Sequence, residues 1–204
     1  MATIAELLAS SLNALKQVQR GEDFTIIKSS DLSRTHIKRL VDNHFLKPII
    51  KGWYVVTDPR ATPGDSTAWY ASFWSFITRY ANERYGNEWC LSAEQSLSIY
   101  TGATIIPNQV LIRAPKGNDY MVPLIPPTSV FNLGAELPSK IDTNNPYNLN
   151  LYTLAEAIIV ATPTMYRNDA LTMRTALAMV HDSSDILKIL VDTGQTVRAG
   201  RVIG

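Results

Sequence analysis

A chain of 204 residues exceeds the usual size of one domain and has room for two modest hydrophobic cores. Its 46% apolar and 18% charged residues exclude a disordered tail, and its one cysteine, Cys90, excludes an internal disulfide and a cysteine-rich metal site. The net charge of +1 is uneven: residues 1–60 hold nine bases against six acids, and residues 28–51 hold six against Asp31 and Asp42. A small basic module therefore precedes a slightly acidic body, the asymmetry expected when one end touches a polyanion.

Ile4, Leu7, Leu8, Leu12, Leu15 and Val18 recur at three- and four-residue spacing, which predicts an amphipathic helix over 3–20 closed by Gly21. Phe24-Thr25-Ile26-Ile27 reads as a short strand. Ser29 to Ser33 is rich in capping residues, and a helix follows over 33–43 with Ile37, Leu40 and Val41 on its buried side. Phe45–Ile50 and Trp53–Val56 flank Lys51-Gly52, which predicts a hairpin. Helix, strand, helix and hairpin in this order predict a winged helix-turn-helix with its core over 24–56. The stretch between the strand and the second helix is short for a complete first helix of that motif.

The whole chain is expected to be α+β: a winged helix-turn-helix domain (1–58), a linker (59–65, with Pro59, Pro63 and Gly64) and a small mixed α+β domain (66–204). Ser66 is expected to cap a helix running to about Tyr85, with Trp69, Phe73, Phe76, Ile77 and Tyr80 on one side as core. Ser92-Ala93-Glu94-Gln95 and Thr153-Leu154-Ala155-Glu156 fit capping boxes, opening helices that end near Gly102 and Ala161. Residues 105–133, β-branched and interrupted by prolines, predict short strands in a small sheet. A loop near 138–148, a strand at 149–152 and helices near 169–181 and 184–193 complete the chain. The longest apolar run, Ala157–Ala161, falls far short of the roughly 20 residues that span a bilayer. The N-terminus has no basic stretch followed by an apolar run, so no secretory signal is read there. The expected setting is cytoplasmic, without a membrane partner.

On the 33–43 helix the buried stripe turns Arg34, Thr35 and Lys38 outward and leaves Arg39 at the flank. In a helix-turn-helix the N-terminal part of the second helix enters the major groove. Arg34 and Lys38, one turn apart, suit guanine edges or phosphates, and Ser33 and Thr35 offer short hydroxyl contacts. Lys47 and Lys51 place charge on the wing. Ser33, Arg34, Thr35, Lys38, Arg39, Lys47 and Lys51 are therefore the nucleic-acid-binding candidates, with double-stranded DNA as the partner. A protein-docking face, or a basic face that is merely solvated, would carry the same residues. His36 reads as a surface helix residue, and His44 as a helix-end residue near favourable carbonyl dipoles.

Catalytic arrangements are sparse. The three histidines are His36, His44 and His181, and no phosphate-cradling glycine motif, His-Glu-x-x-His, Gly-x-Ser-x-Gly or Asp-x-Asp occurs. Asp182 and Asp185 read as caps, and Cys90 as a buried small hydrophobe. Neither enzymatic activity nor a cofactor or metal is expected of this chain.

The run Leu32-Ser33-Arg34-Thr35 through Lys51-Gly52-Trp53-Tyr54 resembles the N-terminal winged helix of AbiEi-type antitoxins and related transcriptional regulators. Ser92 to Tyr100 with Gly102, Ile106-Pro107, and Tyr152 to Ala157 are similar to that family's second domain. A closer likeness is to the N-terminal region of bacterial Fic proteins, carried by residues 29–36, 51–54 and 64–74. The resemblance implies a DNA-binding regulator or antitoxin-like module, with a dimer on an inverted repeat and a toxin as possible company. It implies as an alternative a module that recruits substrate to, or restrains, a Fic AMP-transferring domain. The His-Pro-Phe loop of Fic enzymes is missing here: His36, His44 and His181 precede Ile37, Phe45 and Asp182. With the abrupt ending Arg201-Val202-Ile203-Gly204, the expectation is an N-terminal regulatory piece of a longer Fic protein.

Overall fold

A computed structural model describes residues 3–19, 25–62 and 64–193, the side chains of 192 and 193 excepted. Arg20, Gly21, Phe24, Pro63 and the 201–204 ending, on which parts of the sequence reading rest, lie outside the described residues. The fold is mixed α+β. It divides into two compact units, Met1–Ile77 with Pro123–Ser129, and Thr78–Val122 with Val130–Gly204. The sequence reading placed a linker at 59–65, whereas that stretch belongs to the first unit and the division falls inside the aromatic helix. Aromatic packing accounts for the difference: Trp53 meets Phe76 edge-on at 5.6 Å, and Trp69 meets Phe73 and Phe76 at 5.3 and 5.4 Å.

The first unit begins with α1 (Ile4–Gln19), β1 (Ile26–Lys28), α2 (Arg34–Asp42), β2 (Leu46–Ile50) and β3 (Trp53–Val56). The strands form an antiparallel sheet in the order β1-β3-β2, with Ile26 opposite Val55 and Lys47 also opposite Val55. Pro48 sits on the edge strand β2, next to the register shift between Pro48 and Ile50, where its missing N–H is tolerated. Between β1 and α2 the described residues form a turn instead of a helix. The Lys28 N–H donates to Asp31 Oδ2 (2.8 Å) and the Asp31 N–H to Lys28 O (3.0 Å).

Helix α2 is closed at both ends. Ser33 caps it, accepting the His36 N–H at 3.3 Å. At the other end His44 takes a left-handed φ of 61°, its N–H donates to Val41 O and the Phe45 N–H to Leu40 O. These are the two bonds of a Schellman motif, normally built on glycine. Leu15, Ile27, Leu32, Ile37, Leu40 and Leu46 form the core beneath, with Leu12, Val18, Val41 and Phe45 packed against it.

Helix α3 (Thr67–Tyr85) starts where the Thr67 N–H donates to Asp65 Oδ1 (2.8 Å), so a carboxylate one residue before Ser66 opens it. In the first unit Trp69 Nε1–H donates to Thr128 Oγ1 (3.1 Å), which lets a buried indole satisfy its one donor.

The second unit contains β4 (Cys90–Leu91), α4 (Ala93–Tyr100), β5 (Gln109–Ala114) and, but for the terminal residues Pro123 and Ser129, β6 (Tyr120–Pro123) and β7 (Ser129–Gly134), with the sheet order β4-β5-β7-β6. A two-stranded sheet of β8 (Ile141–Asp142) and β9 (Leu151–Tyr152) precedes α5 (Leu154–Val160), α6 (Pro163–Asn168), α7 (Ala170–Ala178) and α8 (Ser183–Thr193). Small side chains, Ala93, Ala157, Ala161 and Ala176, let these helices approach closely around Leu97, Ile158, Met165 and Met173. Both expected capping boxes form by half. Ser92 and Thr153 accept the Gln95 and Glu156 N–H groups, but the partner side chains go elsewhere. Gln95 bonds Gln109 O and the Leu111 N–H, and Glu156 takes the Ser139 N–H and hydroxyl. No helix among the described residues is long and apolar enough to cross a membrane.

Candidate nucleic-acid interface

The seven sequence candidates separate into three groups. Arg34, Thr35 and Lys38 lie exposed on the outward face of α2, with Ser33 at its head. The hydroxyl of Ser33 serves the helix as its cap. Lys38 Nζ pairs with Asp42 at 2.8 Å one turn on, a solvent-exposed pair that a competing anion displaces at little cost. The Arg34 side chain has no hydrogen-bond or ion-pair partner among the described residues.

Lys47 and Lys51 are carried by the hairpin. Lys47 is half-buried on β2 and lies near Asp65, whose carboxyl is held below its usual range, first by hydrogen bonds from Thr67 and to a lesser degree by Lys47. Lys51 is exposed at the tip, beside Gly52 with φ +83°. The Ser29 N–H donates to Gly52 O at 2.8 Å, tying the tip to the turn that leads into α2. A Cβ at Gly52 would stand 3.2 Å from Ser29 Oγ, so both the backbone angle and the space favour glycine there.

Arg39 departs from the group. Its guanidinium turns back to α1, with Nη1 donating to Leu7 O (3.3 Å) and Ser11 Oγ (3.2 Å). His36, read from sequence as a surface residue, is half-buried, with Nδ1 2.9 Å from the same Ser11 Oγ. Ser11 was not singled out from sequence. Its signal was there: it sits four residues from both Leu7 and Leu15, a hydroxyl set into an apolar stripe.

A cleft of about 510 Å³ opens beside the hairpin, lined by His44, Lys47, Pro48, Asp58 and Asp65 among others. In the second unit a cavity of about 400 Å³ is lined by Glu94, Arg113, Tyr152 and Glu156. Two of its carboxylates already have partners: Glu156 holds Ser139, and Glu94 Oε1 accepts the Thr162 N–H at 3.3 Å. Cys90 is fully buried, and burial pushes its thiol far above the usual range, which leaves it protonated and inert. Among the described residues no group of three or more His, Cys, Asp or Glu side chains is placed to hold a metal ion.

The first unit thus presents guanidinium, ammonium and hydroxyl groups on one helix face and one hairpin tip, the donor set of an anion-facing surface. Comparison with known proteins finds no matching family model and no matching curated protein.

Proposed function

We propose that the first unit is a winged helix-turn-helix module that binds double-stranded DNA, with α2 as the reading helix and the β2–β3 hairpin as the wing. The observation that carries this reading is the outward face of α2, where Arg34, Thr35 and Lys38 stand exposed beside a hairpin tip that brings Lys51. The N-terminal turn of α2 enters the major groove, Arg34 reaches base edges, and Lys38, Lys47 and Lys51 hold phosphates. The strand-to-helix turn at 28–33 takes the place of a first motif helix, so backbone contacts dominate and sequence reading rests mainly on Arg34. The likeness of 29–36, 51–54 and 64–74 to the N-terminal region of Fic proteins supports a regulatory role for the module.

Duplex binding measured against salt tests this. Three phosphate-facing cations give a log–log slope of about −3 between roughly 50 and 200 mM salt. Arg34→Ala with Lys38→Ala weakens binding by roughly tenfold or more and flattens the slope by about 1, the Lys38 share. A chain that binds no duplex at about 50 mM salt ends the nucleic-acid reading and leaves protein docking as the use of this face.

A further inference from the structure

Helix α2 meets α1 through a small polar cluster buried beside the apolar core. Ser11 has no exposed surface, and its hydroxyl hydrogen goes to Leu7 O at 3.0 Å. A serine oxygen has two further acceptor sites. Arg39 Nη1–H fills one at 3.2 Å, and His36 Nδ1 shares a hydrogen bond with the same oxygen at 2.9 Å. Arg39 also reaches Leu7 O at 3.3 Å.

The placement of these two residues on α2 gives the cluster its meaning. Positions 36 and 39 share a helix face, while 37, 40 and 41 face the core and 34, 35 and 38 face outward. Apolar contact is non-directional, so Ile37, Leu40 and Val41 alone let a nine-residue helix roll in its seat. Hydrogen bonds demand distance and angle together, so two of them on one flank fix the roll.

We infer that Arg39 and His36 are positioning residues, which lock the rotation of α2 through the Ser11 hydroxyl and so aim Arg34, Thr35 and Lys38, without touching nucleic acid themselves. The inference deepens the DNA-binding reading and rests on it. It takes Arg39 out of the contact set and adds Ser11, a residue on another helix with no surface of its own, to the determinants of affinity.

Salt-dependent anisotropy on the full chain, with a fluorescently labelled mixed-sequence duplex, separates aiming from contact. Ser11→Ala and Arg39→Ala each weaken binding by about three- to tenfold, the worth of one or two hydrogen bonds, and leave the salt slope unchanged. Lys38→Ala, which removes a phosphate contact, flattens the slope by about one. The Ser11→Ala/Arg39→Ala double variant loses no more than the larger single loss, because both remove the same lock. Arg39→Lys, which keeps a charged donor, recovers part of the affinity. A flattened slope for Arg39→Ala overturns the inference by making Arg39 a phosphate contact, and so does unchanged affinity for Ser11→Ala.

Thermal unfolding of the same variants judges the lock without DNA. Melting temperatures of the two single variants that fail to add in the double variant support it, and additive ones overturn it. If the unaltered chain binds no duplex, the DNA-binding reading falls and this second measurement alone decides the lock.

Discussion

The two units bury different polar chemistry. Among the described residues the polar side chains that the first unit buries are the hydroxyls of Ser11, Ser72 and Thr128, beside the indole of Trp69, whereas the second buries the amides of Asn132 and Asn150 and the carboxylate of Glu156, besides two serines. A hydroxyl is satisfied by one or two neighbours, but an amide or carboxylate needs several, and each missing one costs more. Asn132 accordingly receives the Tyr85 hydroxyl at 2.9 Å and donates to the Tyr80 hydroxyl at 3.1 Å and to Tyr120 O at 3.3 Å. Asn150 donates to Trp89 O at 3.0 Å. The second unit is thus specified from inside by polar geometry, and the first by aromatic volume. The lesson concerns where charge is left over: in the first unit Arg34 and Lys51 remain at the surface.

The contrast is broken or sharpened by substitutions of graded effect. Trp69→Ala removes the centre of the aromatic cluster and the indole N–H that Thr128 Oγ1 accepts. It costs about 3–5 kcal/mol in chemical denaturation. Asn132→Ala removes the acceptor of the Tyr85 hydroxyl and the amide donor to the Tyr80 hydroxyl and Tyr120 O, at a cost of about 2–3 kcal/mol, more than its volume warrants. A cost below about 1 kcal/mol would remove polar geometry as what distinguishes the second unit. Glu156→Gln sets an amide donor against one of the two Ser139 donors and costs about 1–2 kcal/mol. His44→Gly runs the other way. It relieves a left-handed backbone and stabilises by about 0.5–1 kcal/mol, visible as a higher melting temperature. Smallest is Arg34→Ala with Lys38→Ala, which shifts stability by less than about 0.5 kcal/mol; a larger loss would mean that the outward face of α2 is structural.

Much of the fold was readable from local pattern. The apolar spacing of α1, the stripe of α2, the Lys51-Gly52 hairpin and the serine and threonine caps at 92 and 153 are all properties of neighbouring residues. What escaped depends on distant ones. Strands β4 and β8 are two residues each and exist only because partners pair with them, so no periodicity announces them. Helix α6, six residues long, is too short for periodicity, yet Thr162-Pro163 is a cap followed by a first-turn proline and was a legible start. Gln95 and Glu156 sit where capping boxes want them, and only the tertiary fold brings Gln109, Leu111 and Ser139 near enough to draw their side chains away. The candidate site divides the same way. Helical period alone turned Arg34, Thr35 and Lys38 outward, whereas Arg39 and His36 lie on a flank whose neighbour, α1, is more than twenty residues back in the chain.

The bond between Ser29 N–H and Gly52 O joins two backbones and involves no side chain beyond the absent one of glycine. The gap between the hairpin tip and the turn that leads into α2 is therefore a property of the frame, not of the groups mounted on it. Side chains at 34, 35, 38 and 51 are interchangeable fittings on a mount of fixed gauge. Substitutions at those four positions leave the span as it is, while a residue other than glycine at 52 meets Ser29 and a left-handed backbone and alters the gauge for every fitting at once.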